Sequence, residues 1–471
     1  MSDRFLRGFP EALLDGTAAI FLGAGTSMAA GYPSWEELLE DIADELGLAG
    51  AKLHDLAALA QWSVSESGAA RVRGVIRDKI GQNRPIPPAV KTVAQLPFRH
   101  LWTTNYDRLV ERAFEELGRP VVPISNSADL SLPVRAGTAR LYKMHGSVEH
   151  LDGVVISTED YELFRRDRGA YVPLLQAHLT SMSMLFVGLS FSDPNLKHVF
   201  ATIRESFTDA PPEHYAIVKT PAKRQDETDE QFKARQAQHN LWTKDLKRYG
   251  LHSIEIADYA EIDQILNDLR RAISRQKVWV SGSYPTGAGE TTEAQFALAE
   301  KIGKLVAQSG KALVSGSGLT VGSAAIAGFL SGLSPEDTWR LGQKLFVRHF
   351  PQPVGKVDFK QHLRTIREEL ARESGIVIFV AGEKEVDGRR VMADGVLEEY
   401  DLALANGSFL LPVGSSGGAA RKIAERLLGS KLPSDGPSSR RPTDSELASL
   451  LENDDHENII GILQRIFGRL Q

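Results

Sequence analysis

The 471-residue chain contains no cysteine, which excludes disulfides, thiol nucleophiles and every cysteine-ligated zinc or iron–sulfur centre. No apolar run approaches the roughly 20 residues needed to cross a bilayer, and the opening Met1-Ser2-Asp3-Arg4-Phe5 has no apolar core of signal-peptide type. A cytoplasmic protein without membrane attachment is expected, and no metal site. Charge of one sign is also scarce: 55 Lys and Arg against 61 Asp and Glu leave a net −6, which gives no global field for gathering nucleic acid. What is present, 42% apolar and 25% charged residues, is ordinary for a soluble globular protein. The length suggests about two to four domains, each able to bury a core.

Short apolar runs alternate with helical patterns through the first half. Ala18–Leu22 reads as a buried strand, and Trp35–Leu46 as one amphipathic helix with Leu38, Leu39, Ile42 and Leu46 at helical spacing. Leu101–Thr104, Leu141–Met144, Met184–Val187, Tyr215–Val218 and Leu251–Ile256 are further strand candidates. This alternation predicts a doubly wound parallel sheet. Lys219–Lys247 is dense in charge and reads as a solvated helical excursion, and Tyr259–Ile273 as a helix leading out of the domain. A second α/β pattern starts at Lys277, with strands at Val278–Val280, Ala312–Val314, Ile376–Val380 and Phe409–Pro412. Ser434–Arg441 is a polar loop before a short C-terminal helical region. The expected domains are residues 1–275 and 276–471.

Four polar motifs follow predicted strands in the first half. Gly23-Ala24-Gly25-Thr26-Ser27 opens a helix, where glycines and a helix N-terminus suit a pyrophosphate; a glycine-rich structural turn is the other reading, since Met28 stands where a third glycine would complete G-x-G-x-x-G. Thr103-Thr104-Asn105-Tyr106-Asp107 offers Asn105 as both acceptor and donor, and Asp107 as a negative charge near a developing cation, or else a helix cap. Lys143-Met144-His145-Gly146 presents a general-base candidate in His145, or a structural histidine. Gly188-Leu189-Ser190-Phe191-Ser192-Asp193-Pro194-Asn195 suits ribose hydroxyls, or is a turn and helix start.

In this order the four motifs resemble the sirtuin-like NAD-binding fold over roughly residues 10–270. The resemblance implies Asn105, His145 and Asp107 as catalytic residues. It implies Gly23, Ala24, Gly25, Ser27, Thr104, Gly188, Ser190, Asp193 and Asn195 as the NAD-binding set. The chain departs from the protein deacylases of that family: it lacks their cysteine-bound zinc module, and Thr104 replaces their glutamine. These departures fit the prokaryotic branch that hydrolyses NAD.

The second half has two glycine loops at strand ends, Ser281-Gly282-Ser283 and Ser315-Gly316-Ser317-Gly318-Leu319, both suited to phosphate or ribose. The basic residues Arg348, Arg364, Arg367 and Lys384 follow, with Arg364 and Arg367 three apart on one helix face. Glu399 lies in Gly395–Tyr400 and suits a ribose or base. This half resembles the SLOG family of Rossmann-like nucleotide sensors. The sirtuin–SLOG fusion resembles the NADase effectors of Thoeris antiphage defence. That resemblance implies an NAD+ glycohydrolase, activated by a cyclic ADP-ribose isomer from a TIR-domain partner protein, that depletes NAD+ in abortive infection as a homotetramer. It implies no cofactor beyond NAD+ as substrate, and a ligand set of Gly282, Ser283, Gly316, Ser317, Gly318, Leu319, Arg348, Arg367, Lys384 and Glu399. The other readings are an NAD-dependent protein deacylase or ADP-ribosyltransferase, and a non-catalytic nucleotide-binding regulator.

Overall fold

A computed structural model describes residues 2–48, 55–189, 212–225, 227–287, 289–350, 359–436 and 438–470. The chain divides into two compact units, Met1–Arg270 and Arg271–Gln471. Among the described residues no helix is long and apolar enough to cross a membrane, and no group of three or more His, Asp or Glu is placed to hold a metal ion.

The first unit is built on seven parallel strands: β1 (Ala18–Leu22), β2 (His100–Thr103), β3 (Val121–Ile124), β4 (Ala139–Lys143), β5 (Ser183–Val187), β6 (His214–Lys219) and β7 (Leu251–Ile256). Their order across the sheet is β3-β4-β2-β1-β5-β6-β7. All five residues of β1 are buried, as a strand covered on both faces requires. In register, Ile20 lies between Leu101 of β2 and Leu185 of β5. The chain builds outward from β1 to one side, then crosses to β5 and builds to the other. The crevice at the carboxyl ends of β1 and β5 is therefore the topological switch point, where open α/β sheets take their ligands.

The second unit holds a five-stranded parallel sheet of β8 (Lys277–Ser283), β9 (Ala312–Ser315), β10 (Leu345–Val347), β11 (Ile376–Ala381) and β14 (Phe409–Val413), ordered β10-β9-β8-β11-β14. Its switch point lies between β8 and β11. A hairpin of β12 (Glu383–Val386) and β13 (Arg389–Met392) stands outside the sheet, directly after β11. Both units are α/β with parallel sheets, as the alternation of apolar runs predicts.

Local details differ from the sequence expectation. The helix expected over Trp35–Leu46 is two, Trp35–Leu38 and Glu40–Glu45. At Leu39 the backbone N–H is shared between the Trp35 and Glu36 carbonyls at 3.3 and 3.2 Å, which tightens the turn and redirects the chain. The charged excursion does contain a helix, Asp229–Leu246, with only Thr243 and Leu246 buried.

Candidate functional site

The loops after β1, β2, β4 and β5 leave the same carboxyl edge of the first sheet, with β1 and β5 flanking the switch point. β1 ends at Leu22, and the chain turns at Gly23 into the short helix Ala24–Met28. Its neighbour β5 turns at Gly188, whose φ of 68° favours glycine. These two turns touch backbone to backbone. Gly23 N–H donates to Val187 O and Gly25 N–H to Gly188 O, both at 2.9 Å. A Cβ on Gly23 would collide with the Gly188 carbonyl. The glycines are thus required first by loop-on-loop contact, and two of the N–H groups expected beside a phosphate are engaged within the protein.

β2 supplies the next loop. Thr103 Oγ1 donates to Leu22 O at 2.8 Å and accepts the Asn105 N–H at 3.0 Å, folding the loop back over β1. The half-buried Asn105 donates its side-chain nitrogen to Gly23 O (3.0 Å) and Thr26 Oγ1 (3.1 Å). That orientation leaves Oδ1 as its acceptor for a ligand. Thr104, next to it, is also half-buried. The buried Asp107 carboxylate accepts the Leu109 N–H at 2.9 Å, at the start of helix Leu109–Glu116. Its other oxygen accepts the Ser27 hydroxyl. Asp107 therefore caps one helix and ties the β2 loop to the helix after β1.

β4 brings His145, which is buried with its ring edge-on to Tyr161 (5.5 Å between centroids) and Phe164 (6.4 Å). Its carbonyl accepts the Val155 N–H at 3.0 Å. Gly146 follows with φ 86°, and a Cβ there would meet the Gly153 carbonyl.

Two buried cations anchor these loops, and sequence reasoning gave neither a role. Lys143 donates to Asp107 O at 2.5 Å and pairs with Glu111 at 2.7 Å. Burial pushes the Glu111 carboxyl up, against the opposing pull of Lys143. Arg168 donates to Ser125 O at 2.7 Å and to Gly153 O. Lys143 stands inside a motif, but its partners, the Asp107 carbonyl and the Glu111 carboxylate, are ones that no spacing reveals. Arg168 follows the helix Thr158–Asp167, and no motif marks it in the sequence. Ser190, Asp193 and Asn195 lie outside the described residues.

In the second unit the expected residues fall into two neighbouring groups. Ser283, Leu319 and Lys384 line an open cleft of about 490 Å³, together with Tyr284, Glu383 and Glu385. The other group is buried: Glu399 accepts the Ser281 hydroxyl at 2.6 Å and pairs with Arg367 at 3.3 Å, while Arg367 also pairs with Glu398 at 2.7 Å. Burial pushes the Glu399 carboxyl up, opposed by Ser281 and Arg367. Arg364 and Arg367 do not act together, because Arg364 pairs along its own exposed helix with Glu368. Arg348 pairs with Glu369, and Lys384 with Asp394. Gly282 is packed so closely on β11 that a Cβ would meet the Val380 carbonyl, and a Cβ on Gly316 would enter the Phe350 ring. A Cβ on Gly318 would meet only the Gly282 carbonyl, at an ordinary contact distance of 3.9 Å.

Two residues here hold strained backbone. Ser317 (φ 54°) and Ala381 (φ 53°) follow or end β9 and β11, and Asp387 (φ 51°) is the other non-glycine residue with positive φ among those described. Such conformations persist where the surroundings enforce them, and they concentrate at ligand clamps.

Comparison with known proteins bears on both units. Residues 99–241 match a family model described as a SIR2-like domain, and residues 261–470 match the Sir2- and TIR-associating SLOG family. The NAD(+) hydrolase ThsA of Enterococcus faecium is 33% identical over 432 residues, covering 90% of this chain and 89% of that protein. The chain belongs to the ThsA family. The ThsA of Bacillus cereus (strain MSX-D12) is 34% identical with the same coverage of both chains. Beyond the ThsA family, the defense-associated sirtuin 2 of Bacillus subtilis is 23% identical over 231 residues, 47% of this chain and 23% of that one.

Proposed function

We propose that the first unit hydrolyses NAD+ to nicotinamide and ADP-ribose, and that the second binds a nucleotide that switches this activity on. The observation that carries the reading is the contact of the Gly23 and Gly188 turns at the switch point of the first sheet, with the Asn105 side chain fixed on the Gly23 carbonyl. It occurs in a chain whose full-length relatives are named NAD(+) hydrolases.

In the reaction, the bond between the ribose anomeric carbon and the pyridinium nitrogen breaks, and nicotinamide leaves as a neutral base with the bonding pair. Water supplies the new carbon–oxygen bond and gives up one proton. Asn105, fixed by its nitrogen, uses Oδ1 to orient the water or a ribose hydroxyl. His145 positions that hydroxyl or takes the proton. Asp107 keeps a negative charge beside the developing ribosyl cation while holding Ser27. Gly23, Ala24, Gly25, Ser27, Thr104 and Gly188, with Ser190, Asp193 and Asn195, form the diphosphate and ribose side.

For the second unit the proposed ligand is a cyclic ADP-ribose isomer made by a TIR-domain partner, held by Gly282, Ser283, Gly316, Ser317, Gly318, Leu319, Arg348, Arg367, Lys384 and Glu399. The match to a Sir2- and TIR-associating SLOG family supports this, as does the strained backbone at the ends of β9 and β11. The functional division is placed at residues 1–275 and 276–471, the assembly is a homotetramer, and the cellular role is antiphage defence by NAD+ depletion in the cytoplasm. The test is nicotinamide release from NAD+ by the full chain, without any acyl-peptide, in the presence and absence of cyclic ADP-ribose isomers. Release that requires an acyl-peptide would make the protein a deacylase, and no release under any condition would make it a binding regulator.

A further inference from the structure

We infer that Arg390, on the β12–β13 hairpin, is a ligand-binding residue of the second unit and grips an anionic group of the nucleotide there. This inference rests on the reading of that unit as a nucleotide site. The hairpin turns at Asp387-Gly388, both with positive φ (51° and 73°), the two-residue geometry that matches strand twist. Its register sets Lys384 opposite Val391 and Glu385 opposite Arg390. Side chains alternate along each strand, so Arg390 shares a face with Glu383 and Glu385; these two and Lys384 line the cleft, which Arg390 borders through its bond to Tyr284.

Arg390 is exposed, and its partners are neutral. It donates to the Tyr284 hydroxyl at 2.6 Å and to Thr291 Oγ1 at 3.3 Å, and its guanidinium lies 5.1 Å from the centre of the Tyr284 ring. Tyr284 itself lines the cleft. The basic residues singled out from sequence are each already matched by a carboxylate: Lys384 by Asp394, Arg367 by Glu398 and Glu399, Arg348 by Glu369, Arg364 by Glu368. Among the described residues Arg390 has no such ion pair. It is held in place by hydroxyls and an aromatic face, with Glu385 across the hairpin but not within ion-pair distance.

Two of the five guanidinium N–H groups are engaged, and the rest keep the fork that binds phosphate in bidentate fashion. Glu383 and Glu385 on the same face disfavour a bare anion and suit ribose hydroxyls, which donate to carboxylates. Together they fit a phosphate-bearing ribonucleotide better than inorganic phosphate.

The test is calorimetric titration of the full chain with cyclic ADP-ribose, ADP-ribose and inorganic phosphate as probes. The variants are Arg390→Gln, Arg390→Lys and Lys384→Met, with thermal melting as the control for folding. Arg390→Gln is expected to bind the nucleotide probes about tenfold to hundredfold more weakly, as loss of one charge-assisted contact implies. Arg390→Lys should fall between it and the wild type, and the salt dependence of binding should flatten in Arg390→Gln. Wild-type affinity in Arg390→Gln, with weakened binding in Lys384→Met, would overturn the inference and leave the nucleotide site standing. Should Arg390→Gln fail to fold, wild-type affinity in Arg390→Lys would overturn the bidentate grip in its place. Failure of the wild-type chain to bind any nucleotide probe would overturn both.

Discussion

Asn105 is held by its nitrogen, and its oxygen is the acceptor proposed to act in the reaction. Replacing Asn105 with alanine removes the acceptor and also takes one donor from Gly23 O and from Thr26 Oγ1, which keep the 2.7 Å bond that the Thr26 hydroxyl donates to Gly23 O. Turnover should fall by about two to three orders of magnitude, the usual scale for losing one preorganised polar group, with the melting temperature little changed. Wild-type nicotinamide release from Asn105→Ala would remove the residue from the mechanism. Lys143 behaves oppositely. Its side chain is 1% exposed and pairs with a Glu111 that is 4% exposed, so Lys143→Met strands a buried carboxylate. The expected cost is about 3–5 kcal/mol of stability, read by urea unfolding, and Glu111→Gln added to that variant should recover part of it. A Lys143→Met chain as stable as wild type would show that the pair is not the anchor of the β2 loop. The candidates Asn105, His145 and Asp107 stood out in the sequence because they follow predicted strands, and the structure places them just after β2 and β4. The anchors did not, because the groups that Lys143 and Arg168 hold are brought near only by the fold.

Among elements, buried strands were the easiest to read. β1, β5, β11 and β14 are continuous apolar runs covered on both faces. The strands missed are those that bury little: β3 is half-buried and contains Pro123, β10 has three residues, and β12 and β13 are exposed and charged. The Asp387-Gly388 pair was the available signal for the hairpin. Packing between elements also sets a pH dependence in the first unit. The Trp102 indole of β2 donates to Nδ1 of His178 at 3.0 Å, and the Met184 N–H of β5 donates to Nδ1 of His214 at 3.2 Å. A protonated imidazole offers no acceptor, so both rings must be neutral, and burial lowers each to about 4. The unfolded chain takes up these protons near pH 6.5, the folded chain only near 4. Their contribution to stability is therefore complete above about pH 6.5 and declines as the pH falls toward 4, by about 1.4 kcal/mol per pH unit for each histidine. Urea unfolding at pH 7 and pH 5 checks this. His178→Gln keeps an acceptor for Trp102 without titrating, so its stability should fall less between the two pH values. Equal losses in variant and wild type would sink the explanation.

In the whole molecule, the proposed switch requires a ligand on one unit to change turnover on the other. Binding activates only if the ligand prefers the active state. Hundredfold activation requires about 2.7 kcal/mol of differential affinity, at roughly 1.4 kcal/mol per tenfold, which one or two charge-assisted contacts supply. Arg367 is proposed as such a contact, yet it already neutralises Glu399, whose side chain is 7% exposed, and Glu398. Arg367→Ala alone therefore mixes two effects: it removes a ligand contact and it leaves a buried carboxylate uncompensated. Adding Glu399→Gln would separate these only if Glu399 were not itself a ligand group. The cleaner companion is Glu398→Gln, which weakens the hold on Arg367 while leaving the Ser281–Glu399 bond in place. In the full chain, Arg367→Ala should lower the melting temperature and abolish the response of NAD+ turnover to cyclic ADP-ribose isomers. Glu398→Gln should leave the melting temperature nearly unchanged and shift the ligand concentration needed for half-activation downward, because Arg367 gives up less to meet the ligand. Turnover measured against ligand concentration in both variants decides the matter. A normal response in Arg367→Ala would reduce that residue to a partner of Glu399. Full turnover of the wild-type chain without any ligand would mean that the second unit does not switch the first on.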